Sequence, residues 1–532
     1  MKKSIVTIIL LTLLSLTLFG FSGDLNYIYG YNFSNNASTT FSGLKTNITL
    51  ENELDNLYYR FSIDLFKLDG FDLNVNSDID TTQYAALMPS SVYLISPSLP
   101  WALYVLNEAF ADIYLDEATL RVGRFIPDSG SSTFYSPSVT IPAHDGINPF
   151  EPLKTLPVDG IYLNGYIADY TYELTFTPKT YDDIPSFILY PKTINETIIS
   201  ENAATLTYAF TTKKEEVEKA TEELVALLLS KGLTEAQVKY YLSNPASLTD
   251  LGFTQEQIGE IYAGQTLMTL PDTYEVKNTY TETKDIDELL PVNSDYSAKV
   301  SMDISNYNIK LGYTHDHYHF TVPETIEINY SKDGTGTSKT TLYRPYRNVV
   351  TLDFQGVSYF FDSIGYHGEA ALIMPEKTYV KVDTTYYVPN PENPTTTVQT
   401  KDSTEVDIFE KYYVKAVGGI EYTHGEDFTL GIEGFNGLPT EELKGHLSFG
   451  SDMYIKAKIN NVSFEGLGLA AFSKINDKYE PGYMGTLKIA YNGIDNFEPS
   501  IQLKYAYAES DQHSLKSMED LNSISLNIKI YF

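Results

Sequence analysis

Three histidines, His315, His317 and His319, are the clearest candidates for metal chemistry in the sequence. They lie two residues apart, and in an extended strand this spacing places all three imidazoles on one side. Neutral imidazoles bind transition metals. Side chains two residues apart along a strand are separated by roughly 7 Å, too far for three to share one ion unless the strand bends. We therefore keep the trio only as weak metal candidates and predict no metal and no other cofactor.

Catalytic motifs give no stronger signal. The sequence contains neither a Gly-x-Ser-x-Gly nucleophile motif nor a His-Glu-x-x-His metal motif, which would place a nucleophile or a metal-activated water at a defined point of a fold. We predict that the protein is not an enzyme, and an enzyme remains the least favoured alternative.

Alternation of apolar and polar residues is the dominant pattern in the chain. It runs through Leu57–Leu65, Tyr296–Ile304, Tyr307–Tyr313, Met453–Ile459 and the terminal segment Ile524–Phe532. A period of two predicts a β-strand with one apolar and one polar face. More than a dozen such segments of about ten residues indicate an all-β protein.

The connections between these segments alternate between short and long. Tight turns are predicted at 68–70, 116–118, 168–170, 305–307, 355–357, 424–426, 460–462 and 492–496, and the intervening connections are mostly longer. Transmembrane barrels show this alternation because their periplasmic turns are short and their extracellular loops are long. We predict an antiparallel up-and-down transmembrane β-barrel of about 18 strands, within a range of 16–20. The count starts near Thr40, so Asp24–Phe33 is a surplus segment.

The N-terminus predicts export. Lys2 and Lys3 precede an apolar run from Ile5 to Phe19, followed by small residues up to Gly23. This is the pattern of a cleaved signal peptide, assigned here to residues 1–22, with an uncleaved helix as the alternative. Residues 23–532 then form the barrel domain. The chain has no cysteine, which rules out a disulfide-stabilised scaffold,.

The terminal segment closely resembles the last strand of bacterial outer-membrane β-barrels. Ile528, Ile530 and the final residue Phe532 lie on its apolar face. The resemblance implies that these residues form part of an assembly signal. It also implies that the protein resides in the cell outer membrane, with the lipid bilayer and the barrel assembly machinery as partners.

A second resemblance lies in the N-terminal third. Leu120–Arg124, then Asp145–Phe150 and Leu156–Ile161, follow the order found in porin-like outer-membrane barrels. This similarity implies transport across the cell envelope without naming a substrate. Six prolines stiffen the intervening loop, residues 126–158,. Such a loop can fold inward and narrow a pore, or remain a rigid surface loop, and both interpretations stay open.

The connection 180–293 differs from the other loops. Glu215–Ser230 has helical spacing, and Thr234 with Gln237 and Thr254 with Gln257 have the pattern of capping boxes,. We predict short helices within about 214–268, on the extracellular side because a charged helical segment cannot lie in lipid. An extracellular ornament, a plug or gate, and a partner-binding module remain alternatives.

Charge completes the sequence-based hypothesis. The net charge of −33 argues against nucleic acid as a partner,. If the apolar faces meet lipid, the cationic positions predicted to line the lumen are Arg60, Lys310, Lys415, Lys456, Lys458, Lys488, Lys504 and Lys529. We predict a porin-like channel for passive diffusion of small hydrophilic solutes, with a mild anion preference unless carboxylates pair with these cations. A structural or adhesion barrel without transport is the main alternative, and the oligomeric state is undetermined.

Overall fold

The computed structural model describes residues 20–34, 37–69, 92–94, 102–127, 130–132, 135–142, 144–145, 154–178, 186–283, 294–358, 363–439, 441–444, 447–475, 478–510 and 513–532. Residues 1–19, which hold most of the predicted signal peptide, lie outside this part of the chain. Gly20–Ser22, its last three residues, belong to the first described strand.

The described residues form strands and a few helices. The strands are β1 (Gly20–Ser34), β2 (Ala37–Leu54), β3 (Leu57–Asp69), β4 (Val92–Leu94), β5 (Ala102–Tyr114), β6 (Ala118–Phe125), β7 (His144–Asp145), β8 (Lys154–Thr155), β9 (Val158–Ile167), β10 (Tyr170–Thr177), β11 (Glu275–Thr283), β12 (Asp295–Ile304), β13 (Tyr307–His317), β14 (Val322–Tyr330), β15 (Thr335–Tyr343), β16 (Tyr346–Val357), β17 (Ile364–Pro375), β18 (Tyr379–Pro389), β19 (Thr397–Asp407), β20 (Tyr413–His424), β21 (Phe428–Asn436), β22 (Phe449–Ile459), β23 (Val462–Ile475), β24 (Lys478–Tyr491), β25 (Phe497–Ala508) and β26 (Ser523–Tyr531). The helices are α1 (Ser186–Ser230), α2 (Glu235–Ser243) and α3 (Gln255–Met268), with 3₁₀ turns at Pro245–Leu251 and Lys516–Leu521.

Eighteen strands close into one antiparallel barrel, which confirms the predicted fold and strand number. The short strands β4, β7 and β8 and the five strands of a separate sheet are not part of the barrel. Each of the other eighteen strands pairs with the next barrel strand along the chain. The ring closes where β1 pairs with β26, from Asp24 opposite Tyr531 to Asn32 opposite Ser523. Closure leaves no unpaired sheet edge, as a barrel in lipid requires.

The strand that closes the barrel corrects two details of the prediction. The Asp24–Phe33 segment is not a surplus but the core of β1. The turn predicted at 68–70 is wrong, because β3 continues through Leu68, opposite Gly43 of β2. The tight turn lies instead at Asp55, whose φ of 44° reverses the chain between β2 and β3,.

Most tight turns lie at one end of the barrel and the long connections at the other, called here the turn end and the loop end. At the loop end, β1 and β2, and likewise β23 and β24, are separated by only two residues. Positive φ angles at Ala168, Ser305, Asn460 and Asn496 mark four of the tight turns. The turn predicted at 355–357 comes later, because β16 extends to Val357 and β17 begins at Ile364. In an outer-membrane barrel the turn end faces the periplasm.

Apolar side chains cover the outer face of the barrel wall. On β26, Leu526 is 46% exposed, while Ser525 and Asn527 on the other face are buried. Exposed residues on other strands belong to the same belt, among them Val300, Leu311, Leu352, Ile420, Ile432, Met453, Leu487 and Ile501. A contiguous exposed belt of this size marks a surface for lipid rather than water. Among the described residues, no helix is both long enough and apolar enough to cross a bilayer.

A separate folded module stands at the loop end. Its sheet has the order β11-β15-β14-β18-β19, and its strands come from three different connections of the barrel. Helix α1 packs on this sheet, and the shared core includes Phe210, Ile326, Ile328 and Val380. The sequence predicted helices within about 214–268, whereas the helical region begins at Ser186. Both predicted capping boxes, which begin α2 and α3, are confirmed.

Candidate functional site

The proline-rich loop between β6 and β9 crosses the interior of the barrel. Its described part reaches β17, whose Glu369 accepts four hydrogen bonds from it. The donors are the Ser131 hydroxyl (3.1 Å), the Ser132 N–H (2.8 Å), the Ser136 hydroxyl (2.8 Å) and the Ser138 N–H (3.1 Å). Around the sheet, β6 and β17 are separated by five strands. Of the two alternatives left by the sequence, the structure therefore shows the inward one.

Glu369 belongs to an acidic region of the inner wall. Asp353 lies directly opposite it across the β16–β17 pair, and Glu433 lies opposite Asp452 across the β21–β22 pair. Glu433 accepts a hydrogen bond from the Ser132 hydroxyl at 3.0 Å and lies 2.8 Å from Nε2 of His367. The loop thus contacts a wall in which carboxylates outnumber cations.

A second anchor holds the same loop farther along the chain. The Thr140 carbonyl accepts a hydrogen bond from the Arg347 guanidinium at 3.2 Å and lies 2.7 Å from Nε2 of His319. Arg347 itself makes two hydrogen bonds to Asp316, at 2.9 and 3.1 Å. The described stretch from Ser131 to Thr140 is therefore bound to β16 and β17 inside the barrel, where it forms a fixed constriction of the lumen.

The 437–448 loop also folds inward and binds the wall through Glu442. This carboxylate accepts a hydrogen bond from Lys415 at 2.7 Å, lies 3.4 Å from Arg347 and bonds the Tyr413 hydroxyl. Burial alone raises the pKa of Glu442, but the nearby Lys415 and Arg347 outweigh burial and hold it below its ordinary value. Lys415 also lies 5.8 Å from the ring of Tyr135 in the constriction loop. The two inward loops therefore share one buried charged network.

The predicted lining cations are spread over seven strands, and most of them pair with carboxylates. The pairs are Lys415–Glu442 (2.7 Å), Lys310–Glu173 (2.9 Å), Arg60–Glu108 (3.0 Å), Lys488–Glu498 (2.9 Å) and Lys529–Asp24 (3.5 Å). Lys504 is half-buried on β25, while Lys456 and Lys458 are exposed near the turn end. Neither Lys456 nor Lys458 forms an ion pair with another described residue. Among the described residues, the predicted cations therefore form no larger group without ion pairs than the neighbouring Lys456 and Lys458 on β22.

The three histidines do not converge on one point. His315 lies 2.9 Å from the Asn348 amide oxygen and His317 lies 2.7 Å from Asp295, whereas His319 contacts the constriction loop. Each imidazole therefore has its own protein partner.

The predicted assembly residues lie at the seam of the barrel. Phe532 is half-exposed, its ring lies 5.6 Å from the ring of Phe21, and Ile530 is exposed on the same lipid-facing side. Ile528 lies opposite Tyr27 of β1. Their part in assembly remains a prediction.

Sequence reasoning missed Glu369, His367 and the serines of the constriction loop. Side chains of β17 alternate between the lipid-facing and the lumen-facing side, and Glu369 lies on the lumen-facing side. Its position inside the barrel could therefore have been predicted from the sequence. The partner of Glu369 could not be predicted, because Ser131 lies 238 residues away in an irregular segment.

The closed barrel, its apolar belt and its inward loop define a porin-like transmembrane β-barrel of the bacterial outer-membrane type.

No family model and no curated protein matches the chain. Among solved structures, OccAB3 from Acinetobacter baumannii is similar at 10% identity and a TM-score of 0.41, covering 96% of this chain and 99% of that one. The outer membrane protein opdK from Pseudomonas aeruginosa is similar at 5% identity and a TM-score of 0.42, with the same coverage. OpdQ from Pseudomonas aeruginosa is similar at 8% identity and a TM-score of 0.42, covering 97% and 98%. Similarity at this level concerns the fold alone.

Proposed function

We propose that the protein is an outer-membrane channel for passive diffusion of small hydrophilic solutes. The observation that carries the proposal is the loop held across an 18-strand barrel by Glu369. A barrel of this size has an interior too wide for wall side chains alone to fill, and 16–18-stranded porins contain an aqueous channel. A fixed inward loop then sets the width of the passage. We propose no enzymatic activity.

The ion preference is a separate part of the proposal. The anion preference expected from the sequence depended on eight lining cations, five of which form the carboxylate pairs described above. Lys456 and Lys458 still favour anions at the turn end, but the acidic wall around Glu369 and Glu433 adjoins the constriction. Ions pass these zones in series, and the narrowest zone has the strongest field because low-dielectric walls surround it. We therefore propose a mild preference for cations.

Planar-bilayer recording of the purified protein tests both parts. Stepwise single-channel currents in KCl support the channel, and their absence would refute it. Under a salt gradient, the sign of the reversal potential decides between cation preference and the anion preference expected from the sequence. Replacing Lys456 and Lys458 with glutamine should then change the reversal potential only slightly.

A closed structural barrel is the alternative function, and one observation favours it. A second inward loop is fixed by Glu442, and the segment 513–522 adds further buried contacts at the loop end, including the Glu519 carboxylate, which accepts a hydrogen bond from the Ala508 N–H at 2.7 Å. If these segments seal the lumen, the folded protein inserts into bilayers without conducting. The closure of the barrel is verified before the recording, so that a folded barrel that does not conduct can be distinguished from a misfolded protein.

A further inference from the structure

The loop-end module and the two inward loops of the barrel share one hydrophobic core. Ile328 of the module strand β14 lies in this core, and so does Leu156, near the end of the constriction loop. Leu443 of the second inward loop packs against the same core. The Lys444 N–H of that loop donates to the Ile408 carbonyl, directly after β19, at 2.9 Å. The segments that narrow the lumen are therefore packed on the module as well as bonded to the barrel wall.

Arg347 joins the module to the constriction loop through polar contacts. It is the second residue of β16, and the module strand β15 ends shortly before it, at Tyr343. Its buried guanidinium bonds the Thr140 carbonyl of the constriction loop at 3.2 Å and lies 4.7 Å from the ring of Tyr318. One side chain thus contacts both the loop in the lumen and the segment that leads into the module.

Tyr318 continues this contact into the module. It is fully buried in the link between β13 and β14, and its ring stacks on that of Phe409 with the centroids 4.7 Å apart. Phe409 lies in the link from β19 to β20, and both rings belong to the core that contains Ile328. The Tyr318 hydroxyl lies 3.1 Å from that of Tyr413, which in turn bonds Glu442 of the second inward loop. An entrance and an exit of the module therefore meet both inward loops.

The helical part of the module has a core of its own. Leu228 of α1, Leu248 of the first 3₁₀ turn and Ile258 of α3 lie in it, and all its described residues fall within 224–262. This helical core provides a matched control, because it belongs to the same module while its described members come from helices and their connections.

We propose that the loop-end module clamps the constriction loop, with Arg347 and the core around Ile328 as the positioning elements. The constriction loop is irregular, so its shape depends on what it packs against. Because protein cores are close-packed, a change on the module side of the shared core is transmitted to the loop. The width of the passage then depends on the integrity of the module. This proposal rests on the proposed channel function, since the clamp affects conduction only in an open channel.

The chain has no cysteine, so a single introduced thiol can report the state of the constriction loop. Val139 is half-buried beside Thr140, and its hydrocarbon side chain makes none of the anchoring hydrogen bonds. In purified full-length protein carrying Val139→Cys, a water-soluble methanethiosulfonate reagent should react faster when the loop is released. Ser500→Cys, at a buried position on β25 of the wall, is a second reporter in separate protein and detects general loosening of the barrel.

Two substitutions of fully buried aliphatic residues separate the two cores. Ile328→Ala should raise the reaction rate of Val139→Cys by about tenfold, because deletion of buried methyl groups leaves a cavity that relaxes only partly. It should also make the KCl current fluctuate more often. Leu248→Ala, in the helical core, is the matched control and should leave both measurements unchanged. Heat-modifiable mobility verifies that each barrel is closed, and Ile328→Val takes the place of Ile328→Ala if that barrel does not close.

Arg347→Lys tests the polar part of the clamp. A lysine ammonium keeps the charge but lacks the planar fork that reaches Asp316 and the Thr140 carbonyl together. The reaction rate of Val139→Cys should rise by about three- to tenfold, the range expected for one lost hydrogen bond. The rate at Ser500→Cys should not change, and an unchanged rate at Val139→Cys would remove Arg347 from the clamp.

Failure of the clamp and failure of the channel give different results. Equal reaction rates of Val139→Cys in the Ile328→Ala and Leu248→Ala proteins refute the clamp and leave the channel intact. A rise that also appears at Ser500→Cys shows general loosening of the barrel and equally refutes the clamp. A rise confined to Val139→Cys, in a protein that passes no KCl current, refutes the channel and supports the clamp.

Discussion

Gly23 and Phe532 exchange both of their backbone hydrogen bonds, with N···O distances of 2.9 and 3.0 Å. This pair continues the β1–β26 register to the last residue of the chain. It places the terminal aromatic ring on the outside of the seam, where Phe532 is half-exposed. The end of the chain is therefore part of the closure of the barrel.

The first prediction concerns the space at Gly23. A Cβ atom there would lie 2.3 Å from the Asn47 carbonyl oxygen and 2.8 Å from the Phe532 ring. Gly23→Val should therefore disturb the seam and lower the fraction of closed barrel, measured by heat-modifiable mobility in gels. Gly468→Ala is the control, because no heavy atom lies within 4 Å of the added carbon. Equal barrel fractions in the two variants would contradict the prediction.

A second prediction tests whether Phe532 is recognised during assembly of the barrel or only packs against its neighbours. Phe532→Ala should lower the amount of protein in the outer membrane severalfold if the terminal aromatic is read during assembly. Phe472→Ala removes an exposed aromatic from β23, away from the chain terminus, and should have little effect. Outer-membrane levels measured by fractionation and blotting decide the matter, and equal levels would count against an assembly signal.

A third prediction tests the constriction. Glu369→Gln keeps the side-chain shape but replaces one accepting oxygen with an amide that donates. Hydrogen bonds to a charged group each contribute roughly 1.5–3 kcal/mol, so the loop should loosen markedly. Single-channel conductance should rise and become noisier. Glu465→Gln, at an exposed position on β23, should leave the conductance nearly unchanged, and an unaltered conductance in Glu369→Gln would contradict the loop as constriction.

The fourth prediction is the pH dependence of the second inward loop. Because Lys415 and Arg347 lower the pKa of Glu442 despite its burial, its contribution to stability is complete above the ordinary value of 4.5. It is lost as the pH falls through the lower pKa of the folded protein. Protease cleavage within 437–448 should increase only below about pH 4.5. Glu442→Gln should show the increased cleavage at neutral pH, and cleavage of the parent that does not depend on acid would refute the prediction.

The fifth prediction is topological. Protease added to intact cells should cleave within the loop-end module or its connections and leave a membrane-protected barrel. Cleavage restricted to the turns at Ala168, Ser305 and Asn460 would invert the orientation. Disrupted cells provide the control, because there both ends are accessible.

The parity of the strands was predictable from the sequence, because lipid outside and a polar lumen inside impose a period of two on every spanning segment. This period placed Leu526 outside and Lys415 inside the barrel. The end of β3 was misplaced because the alternation that begins at Leu57 breaks after Leu65, with Phe66, Lys67 and Leu68, whereas the strand itself continues to Asp69. The role of β1 was missed because its pairing with β26 joins opposite ends of the chain.

The contacts of the candidate site were much less predictable. Glu369 with Ser131 and Lys415 with Glu442 join strands to irregular loops, where no periodicity specifies a partner. The sequence placed Lys415 on the inner face, but its neutralisation depends on where a loop residue 27 positions away folds. The sequence can show which charged residues face the lumen. It cannot show which of them are neutralised by loop residues, and the electric field in the lumen depends on those pairs.

The five-stranded sheet at the loop end also constrains the order of biogenesis. Its parallel pairs join β11 to β15 and β14 to β18, and so link segments separated by whole barrel strands. The module cannot be completed until the chain through Asp407, the last residue of β19, has reached the loop end of the barrel. Only eleven of the eighteen wall strands precede Asp407 in the chain, too few to enclose the lumen on their own. Completion of the module therefore requires strands from three separate connections, and a conformational antibody against its sheet would report when all three have come together.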